Sequence, residues 1–302
     1  MTLRRDEVRV RVPATSANLG PGFDTLGLAL SLYDDLSAQV LDDGLVVDVE
    51  GEGADDVPRD GTHLVVASLV AALELAGVRA PGLAVRCRNV LPHGRGLGSS
   101  SAAIVGGLVL ARGLLEDPSR LPDALLLDLA NRIEGHPDNV APALLGGFLV
   151  CGTDPDGTAY AVHSPVADGV EAVVVVPPHE VATREARGLL PDVVPHADAA
   201  GNAGRAALLV AALARRPDQL LRATEDRLHQ SYRGPAMPET LGLVHDLRAA
   251  GVPAVVSGAG PTVLAFVGDA VGVAPRTVLD RAPSGWAAHH VEVAGPGATV
   301  LS

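Results

Sequence analysis

Lysine is missing from the chain, so its 23 basic residues are all arginine. This excludes a Walker-type phosphate loop and a protein-kinase-type catalytic lysine. Acidic residues number 36 and give a net charge of −13, which argues against nucleic acid or an anionic membrane as the main partner. Any anion that the protein binds must be held locally, by backbone N–H groups, a helix N-terminus, a metal ion or a few arginines.

Cysteine and long apolar runs are also scarce. Cys87 and Cys151 lie far apart, without a CxxC pair or a Cys/His cluster, so we expect two reduced, buried thiols. Glu74 and Arg112 interrupt the longest apolar stretches, which leaves them too short for a membrane span. Acidic residues follow the first two arginines where a signal peptide needs an apolar run, so we expect no targeting segment and a cytoplasmic location.

Helical and strand-like patterns interleave without a strict βαβ order, which predicts a two-domain α+β chain. Strand-like runs are VRVRVPATSANLG, LGLALSLYDDLSAQVL, GLAVRCRNVLP, GGFLVCG, EAVVVVPP, AVVSG and TVLAFVG. Helical spacing occurs over residues 62–77, 99–115, 122–134, 184–190, 204–215, 217–232 and 238–250, and Gly135 and Pro137 predict the end of the third helix. A turn-rich stretch near Ser164 predicts a boundary between an N-terminal domain, residues 1–164, and a C-terminal domain, residues 165–302.

Residues 91–103, LPHGRGLGSSSAA, have the composition of a phosphate-binding loop. After a predicted strand, Gly94, Gly96 and Gly98 allow the backbone to curl close to a ligand, and three serines then open a helix. The first N–H groups of a helix have no intrahelical partner, and the helix dipole there favours an anion. The alternative is an ordinary glycine-rich turn with a serine N-cap, which needs only one of the serines.

Glu134 ends a predicted helix just before the sequence GHPDN. A carboxylate at the negative end of a helix is unfavourable by up to about 1 kcal/mol. A cation could compensate it, or the residue could be a solvated surface glutamate.

The N-terminal stretch PATSANLGPGFDTLGLAL gathers polar side chains on a glycine-shaped strand connection. Thr15, Ser16, Asn18 and Asp24 are the residues concerned. Polar side chains on such a connection are typical of one wall of a binding site, although an ordinary β-turn with polar residues would have the same composition.

These stretches resemble signatures of the GHMP kinase superfamily. The loop carries the second signature at Pro92, Gly96, Leu97, Gly98, Ser99 and Ser100. The N-terminal stretch resembles the first motif of the homoserine kinases, and residues 255–266, VVSGAGPTVLAF, resemble the third superfamily motif. VATREARGLLP and LHQSYRGPAMP resemble two further homoserine-kinase motifs.

The resemblance implies a two-domain GHMP kinase fold of the α+β class. The N-terminal domain would be ribosomal-protein-S5-domain-2-like and the C-terminal domain a ferredoxin-like α/β sandwich. ATP would bind along the loop, at Pro92, His93, Gly94, Arg95, Gly96, Leu97, Gly98, Ser99, Ser100, Ser101 and Ala102. Mg²⁺ would be held by Ser100, with Ser99 as the alternative, and by Glu134.

The same resemblance implies phosphorylation of L-homoserine to O-phospho-L-homoserine in threonine biosynthesis. The substrate's ammonium, carboxylate and hydroxyl call for an acid, an arginine and a γ-phosphate. Asp24 can supply the acid, and Asn18 can bond the hydroxyl or the amino group. The carboxylate and the remaining contacts would involve Thr183, Arg187, Arg233, Gly258 and Gly260. The implied catalytic residues are Ser100, Glu134 and Asn18.

No general base is obvious, because the lysine that some relatives place beside an aspartate is missing. His136, Asp138 and Asn139 are candidates for orienting the substrate or its hydroxyl, and His136 could equally be a structural turn residue. Two hypotheses compete with a homoserine kinase. One is a mevalonate-type GHMP kinase, whose substrate has no ammonium for Asp24, and the other is a catalytically silent ATP-binding relative. A homodimer is expected by analogy alone.

Overall fold

The computed structural model describes residues 3–293 and 295–301. In this part of the chain the strands are β1 (Val8–Ala17), β2 (Leu26–Leu41), β3 (Gly44–Gly51), β4 (Gly82–Asn89), β5 (Phe148–Thr153), β6 (Ala159–Ser164), β7 (Glu171–Val176), β8 (Ala254–Val256), β9 (Val263–Val267), β10 (Ala287–Glu292) and β11 (Thr299–Leu301). The helices are α1 (Leu64–Leu75), α2 (Ser99–Leu114), α3 (Asp123–Glu134), α4 (Pro137–Leu145), α5 (Thr183–Gly188), α6 (His196–Arg215), α7 (Leu220–Ala223), α8 (Gln230–Arg233), α9 (Pro238–Ala249) and α10 (Arg276–Leu279). No helix among these residues is long and apolar enough to cross a membrane.

The first sheet has the order β11-β1-β2-β4-β3, and β5 joins it through β2 and carries β6 on its other side. The long strand β2 serves two neighbours, because residues 26–28 pair with β5 and residues 35–41 pair with β4. The end of the chain returns to this sheet, since β11 pairs with β1. The division of the chain at residue 164 stays a prediction.

The helices α1 and α2 pack side by side over the core of this sheet. β1 begins with alternating buried and exposed residues, as expected for a strand with one solvated face, and ends fully buried. Gly107 allows the close approach of the two helices, because a Cβ at that position would run into the carbonyl oxygen of Val65. The small residues of α2 therefore serve packing as well as the loop that precedes them.

The second sheet has the order β10-β7-β9-β8 and is antiparallel throughout. When β7, β8, β9 and β10 are renumbered 1 to 4 in chain order, this order is 4-1-3-2. Helices lie between the first and second strands and between the third and fourth. That is the predicted ferredoxin-like arrangement. Val174 of β7 packs into the core of the first sheet, whereas Val173 and Val175 pack with Leu247 of α9. Burial on both faces explains the continuous apolar run EAVVVV.

The predicted end of the third helix is confirmed, since α3 ends at Glu134 and Gly135 follows in the left-handed region at φ +93°. The sequence analysis did not predict α4, whose first residue is Pro137. Proline is favoured there because its missing N–H needs no partner. The helix predicted over residues 217–232 is broken into α7 and α8, because the carboxylate of Asp226 accepts the N–H groups of Leu228, His229 and Gln230 at 2.7–3.1 Å.

The two sheets meet where the loop before α2 touches the turn between β8 and β9. The hydroxyl of Ser257 donates to Gly96 O at 2.6 Å and lies 2.8 Å from Ser16 Oγ. Gly96 has φ +74°, and a Cβ on it would overlap the carbonyl oxygen of Ser257 and lie 2.9 Å from that of Gly260. Only glycine fits this position without displacing the turn.

Gly96→Ala should lower the thermal unfolding midpoint. Alanine in the left-handed region costs about 1–2 kcal/mol, and the added Cβ also meets backbone oxygens. Gly204→Ala is the matched control, because a Cβ there meets nothing within 4 Å and alanine is preferred in a helix by up to about 1 kcal/mol. The thermal unfolding midpoint of this control should equal or exceed that of the wild type. Equal midpoints for the two variants in a thermal melt would contradict this assignment.

Candidate active site

A cleft between the two sheets brings together most of the predicted site residues. It is lined by Asn18, Gly94, Gly96, Gly98, Ser99, Ser100, Glu134, His136, Asp138, Asn139, Thr183, Arg187, Arg233 and Gly258. These residues come from loops and from the starts and ends of helices that lie far apart in the sequence.

The floor of the cleft is the glycine loop and the start of α2. Gly94, Gly96 and Gly98 all adopt positive φ, at +65°, +74° and +72°. The first turn of α2 closes when Ala102 N–H donates to Gly98 O at 2.8 Å. The loop therefore delivers the chain directly into a helix N-terminus that faces the cleft, which is a favourable place for phosphate oxygens.

Glu134 lies at the same helix N-terminus, although it belongs to the end of α3. Its Oε1 accepts hydrogen bonds from Ser100 Oγ at 2.7 Å and from Ser101 Oγ at 2.9 Å. A carboxylate and hydroxyls are hard oxygen ligands suited to Mg²⁺, which usually keeps water and substrate phosphates as its other ligands. Within residues 3–293 and 295–301, no group of three or more His, Cys, Asp and Glu could hold a metal by itself. The donors that are present fit an ion that is shared with a nucleotide.

The N-terminal motif forms one wall of the cleft. Asn18 and Asp24 adopt positive φ, at +68° and +53°. Asn18 is buried, its Nδ2 donates to Gly258 O at 2.8 Å, and its Oδ1 accepts the N–H of Asp24 at 2.9 Å. This side chain thus holds the first motif against the third while it lines the cleft.

Asp24 and Arg187, which were expected to bind opposite ends of the substrate, are paired with each other. Arg187 donates two hydrogen bonds to the Asp24 carboxylate, at 2.7 and 3.0 Å, and both side chains remain about one third exposed. The guanidinium also lies over the ring of Phe23, 5.6 Å from its centroid. The two side chains thus form a bidentate ion pair, and each charged group keeps part of its surface exposed.

Arg233 is the most deeply buried basic residue of the cleft, at 1% exposure. Its Nη1 donates to Gly258 O at 3.2 Å and to His229 Nδ1 at 3.1 Å, and its Nε has no partner within residues 3–293 and 295–301. Burial and the charge of Arg187 lower the pKa of Arg233 to about 10, which leaves it charged at neutral pH. Burial also lowers the pKa of His229, whose Nε2 donates to Gly20 O at 2.8 Å. A neutral His229 can therefore orient Arg233 without competing for an anion.

His136, Asp138 and Asn139 form the remaining wall, around the start of α4. His136 Nδ1 lies 2.6 Å from Asp138 Oδ1, and Asn139 Oδ1 accepts the hydroxyl of Thr15 at 2.8 Å. Burial lowers the pKa of His136, but the hydrogen bond and charge of Asp138 outweigh it, so the net shift is upward.

The other predicted site residues do not line the cleft, although Asp24 is linked to it through Arg187 and Ser101 through Glu134. Leu97 and Ala102 are buried in the core of the first sheet. Pro92 and Arg95 line a separate pocket behind the loop, where the guanidinium of Arg95 donates to carbonyl oxygens. Gly260 packs against Gly96, and His93 lines a second cavity beside the loop.

The second cavity has a volume of about 330 Å³ and shares Gly94, Ser99 and Ser100 with the cleft. Most of its other exposed lining is apolar, and it includes four polar residues that the sequence analysis missed, namely Asp34, Thr62, His63 and Asn89. Asp34 accepts the N–H groups of Val90 and Leu91 at 2.6 and 3.0 Å. Its position on the buried face of β2, two residues before Leu36, was the available signal.

Asp34→Asn should change the pH dependence of stability. Burial raises the pKa of Asp34 to about 6, so this carboxyl contributes stability below about pH 4 that is lost as the pH rises through 6. Asparagine keeps an acceptor for the two N–H groups but does not titrate. Relative to the variant, the wild type should lose about 2–3 kcal/mol between pH 4 and pH 7. A difference in unfolding free energy that is constant over this range would contradict the assignment.

Comparison with known proteins agrees with this geometry. The family model for the GHMP kinases N terminal domain matches residues 63–147, and the model for the GHMP kinases C terminal matches residues 208–278. The chain is 56% identical over 299 residues to the homoserine kinase of Streptomyces avermitilis. The alignment covers 99% of this chain and 97% of that protein. It is 57% identical over 303 residues to the homoserine kinase of Streptomyces coelicolor, with 99% and 96% covered.

Solved structures give the same result for the fold. The homoserine kinase of Cytophaga hutchinsonii superposes with a TM-score of 0.84 at 28% identity, over 98% of each chain. The mevalonate kinase of L. major has a TM-score of 0.68 at 15% identity, over 98% of this chain and 97% of that chain, and shows the likeness of the fold alone. The predicted two-domain GHMP kinase fold is confirmed. The chain belongs to the homoserine kinase family of the GHMP kinases.

Proposed function

We propose that the protein transfers the γ-phosphoryl group of ATP to the side-chain hydroxyl of L-homoserine, in the presence of Mg²⁺. The products are O-phospho-L-homoserine, ADP and the proton of the hydroxyl. One observation carries this proposal. A helix N-terminus with the Glu134 carboxylate lines the same cleft as the buried Arg233 and as Arg187, which is paired with Asp24.

The phosphates of ATP lie on the loop, at the N-terminus of α2, and the adenosine lies in the largely apolar cavity that shares Gly94, Ser99 and Ser100 with the cleft. Ser100, or Ser99 as the alternative, and Glu134 are the residues that would hold Mg²⁺. When bound, the ion neutralises charge on the phosphate oxygens. The loop N–H groups and the helix dipole act on the same charge, so no lysine is needed.

Homoserine lies across the cleft, with its carboxylate towards the arginines and its ammonium towards Asp24. Arg233 has a partnerless Nε and no carboxylate among its hydrogen-bond partners, so a substrate carboxylate would offset the cost of burying this charge. A zwitterion suits the Asp24–Arg187 pair, because each of its ends matches one member of the pair. Mevalonate lacks the ammonium and would leave Asp24 without this contact.

The hydroxyl is oriented by residues at the start of α4 and by Asn18. His136, Asp138 and Asn139 line the cleft together with Glu134. Phosphoryl transfer through a loose transition state depends mainly on positioning and on stabilisation of charge. These residues therefore act by orientation, and the reaction does not require a strong base.

The test is an ADP-release assay with MgATP and a panel of L-homoserine, mevalonate, galactose and L-serine. We expect turnover with L-homoserine, and much less with L-serine, whose hydroxyl is one methylene closer to the amino-acid group. Turnover of mevalonate or galactose without turnover of homoserine would favour another GHMP kinase. ATP binding without turnover of any acceptor would favour a silent relative. Either result would contradict the proposed function.

Glu134→Gln tests the metal role, because it keeps the size of the side chain and removes its charge. We expect the Mg²⁺ concentration for half-maximal rate to rise about tenfold or more, and kcat to fall by about 10–100-fold, with a small change in the KM for homoserine. Glu74→Gln, on the exposed side of α1, is the control and should leave both quantities unchanged. A Mg²⁺ dependence of the Glu134 variant equal to that of the wild type would exclude Glu134 as a ligand.

The cytoplasmic location and the homodimer remain predictions.

A further inference from the structure

Arg95 lies in the phosphate loop, but its guanidinium is bound to backbone carbonyl groups. Nη1 donates to His93 O at 2.7 Å, within the loop itself. Nη2 donates to Pro178 O at 2.6 Å and Nε to Pro177 O at 3.3 Å. Two of the three guanidinium nitrogens, Nη2 and Nε, therefore join the loop to the segment that follows β7, while Nη1 braces the loop itself.

A second set of contacts joins the same two pieces of chain. Val181 N–H donates to Gly94 O at 3.0 Å. Glu180 packs against Gly94 so closely that a Cβ there would lie 3.1 Å from the Cβ of Glu180. The segment of residues 177–182 is thus held to the loop near both of its ends, and it begins with two prolines whose φ angles are restricted.

The chain continues from this segment directly into α5, which contributes Thr183 and Arg187 to the cleft. Arg187 in turn pairs with Asp24. A continuous chain of contacts therefore leads from the loop that would hold the phosphates of ATP, through residues 177–182, to the residues that would hold homoserine.

We propose that Arg95 is a positioning residue that couples the ATP and homoserine sites, so that each substrate tightens the binding of the other. This inference rests on the proposed function. A substrate that orders the loop also orders α5, so the second substrate binds to a segment that is already in place. The coupling is reciprocal by thermodynamic necessity.

The chain carries its own reporter of this segment. Trp286 is the single tryptophan of the sequence, and its ring meets that of His179 edge-on, with the centroids 6.1 Å apart. Because His179 lies between the carbonyls that Arg95 binds and Val181, the emission of Trp286 is sensitive to a change in the position of the segment.

The experiment measures the Kd of L-homoserine by calorimetry, with and without saturating Mg²⁺ and the non-hydrolysable β,γ-imido analogue of ATP. In the wild type we expect the Kd to fall at least about fivefold when the nucleotide is present, the lower end of typical coupling, and the nucleotide alone to change Trp286 emission. In Arg95→Ala both substrates should still bind, while the ratio of Kd values moves close to one and the emission change is lost. Arg216→Ala is the control, since Arg216 is an exposed arginine paired with Asp218, and it should behave as the wild type.

If Arg95→Ala does not fold, Arg95→Lys serves in its place, because one ammonium cannot reach all three carbonyls and the ratio should still fall. An undiminished ratio and emission change in the folded variant would overturn the inference. A wild-type ratio of one would also overturn it, while leaving the proposed function intact because homoserine still binds. Absence of homoserine binding under both conditions would overturn the proposed function and this inference together.

Discussion

The close contact between the glycine loop and its neighbours is the constraint on which the rest of the structure depends. Gly96 lies against the turn at Ser257 and Gly260, and Gly98 lies so close to Thr15 that a Cβ there would overlap its hydroxyl. The loop is therefore fixed by both sheets at once. This directs the start of α2 into the cleft and places Ser100 beside Glu134, at 2.7 Å.

The absence of lysine is consistent with this geometry. A helix N-terminus offers N–H groups that are already oriented, and under the proposed function a shared metal ion would supply positive charge at the phosphates. The arginines can then serve elsewhere. Arg95 fastens the loop to residues 177–182, Arg187 pairs with Asp24, and the buried Arg233 keeps a nitrogen without a partner among the residues that the structure describes.

Local patterns predicted the parts of the site that are local. The loop, the helix that ends at Glu134 and the alternation of β1 could be found because glycine, serine and apolar spacing have fixed meanings over a few residues. The start of α4 was missed because Gly135 and Pro137 serve equally well as stop and start signals. The Asp24–Arg187 pair joins residues 163 positions apart in the sequence. The second cavity, which Asp34 lines, forms only when β2, β4 and α2 pack together. Such contacts follow from tertiary packing and leave no short-range signal.

The most direct test of the central claim is a crystal structure with Mg²⁺, the β,γ-imido analogue of ATP and L-homoserine. The account predicts the phosphates at the N–H groups of the loop and the first turn of α2, the ion bound by Ser100 and Glu134, and the homoserine carboxylate at Arg233. A triphosphate held mainly by arginine side chains, or lying away from the start of α2, would contradict it.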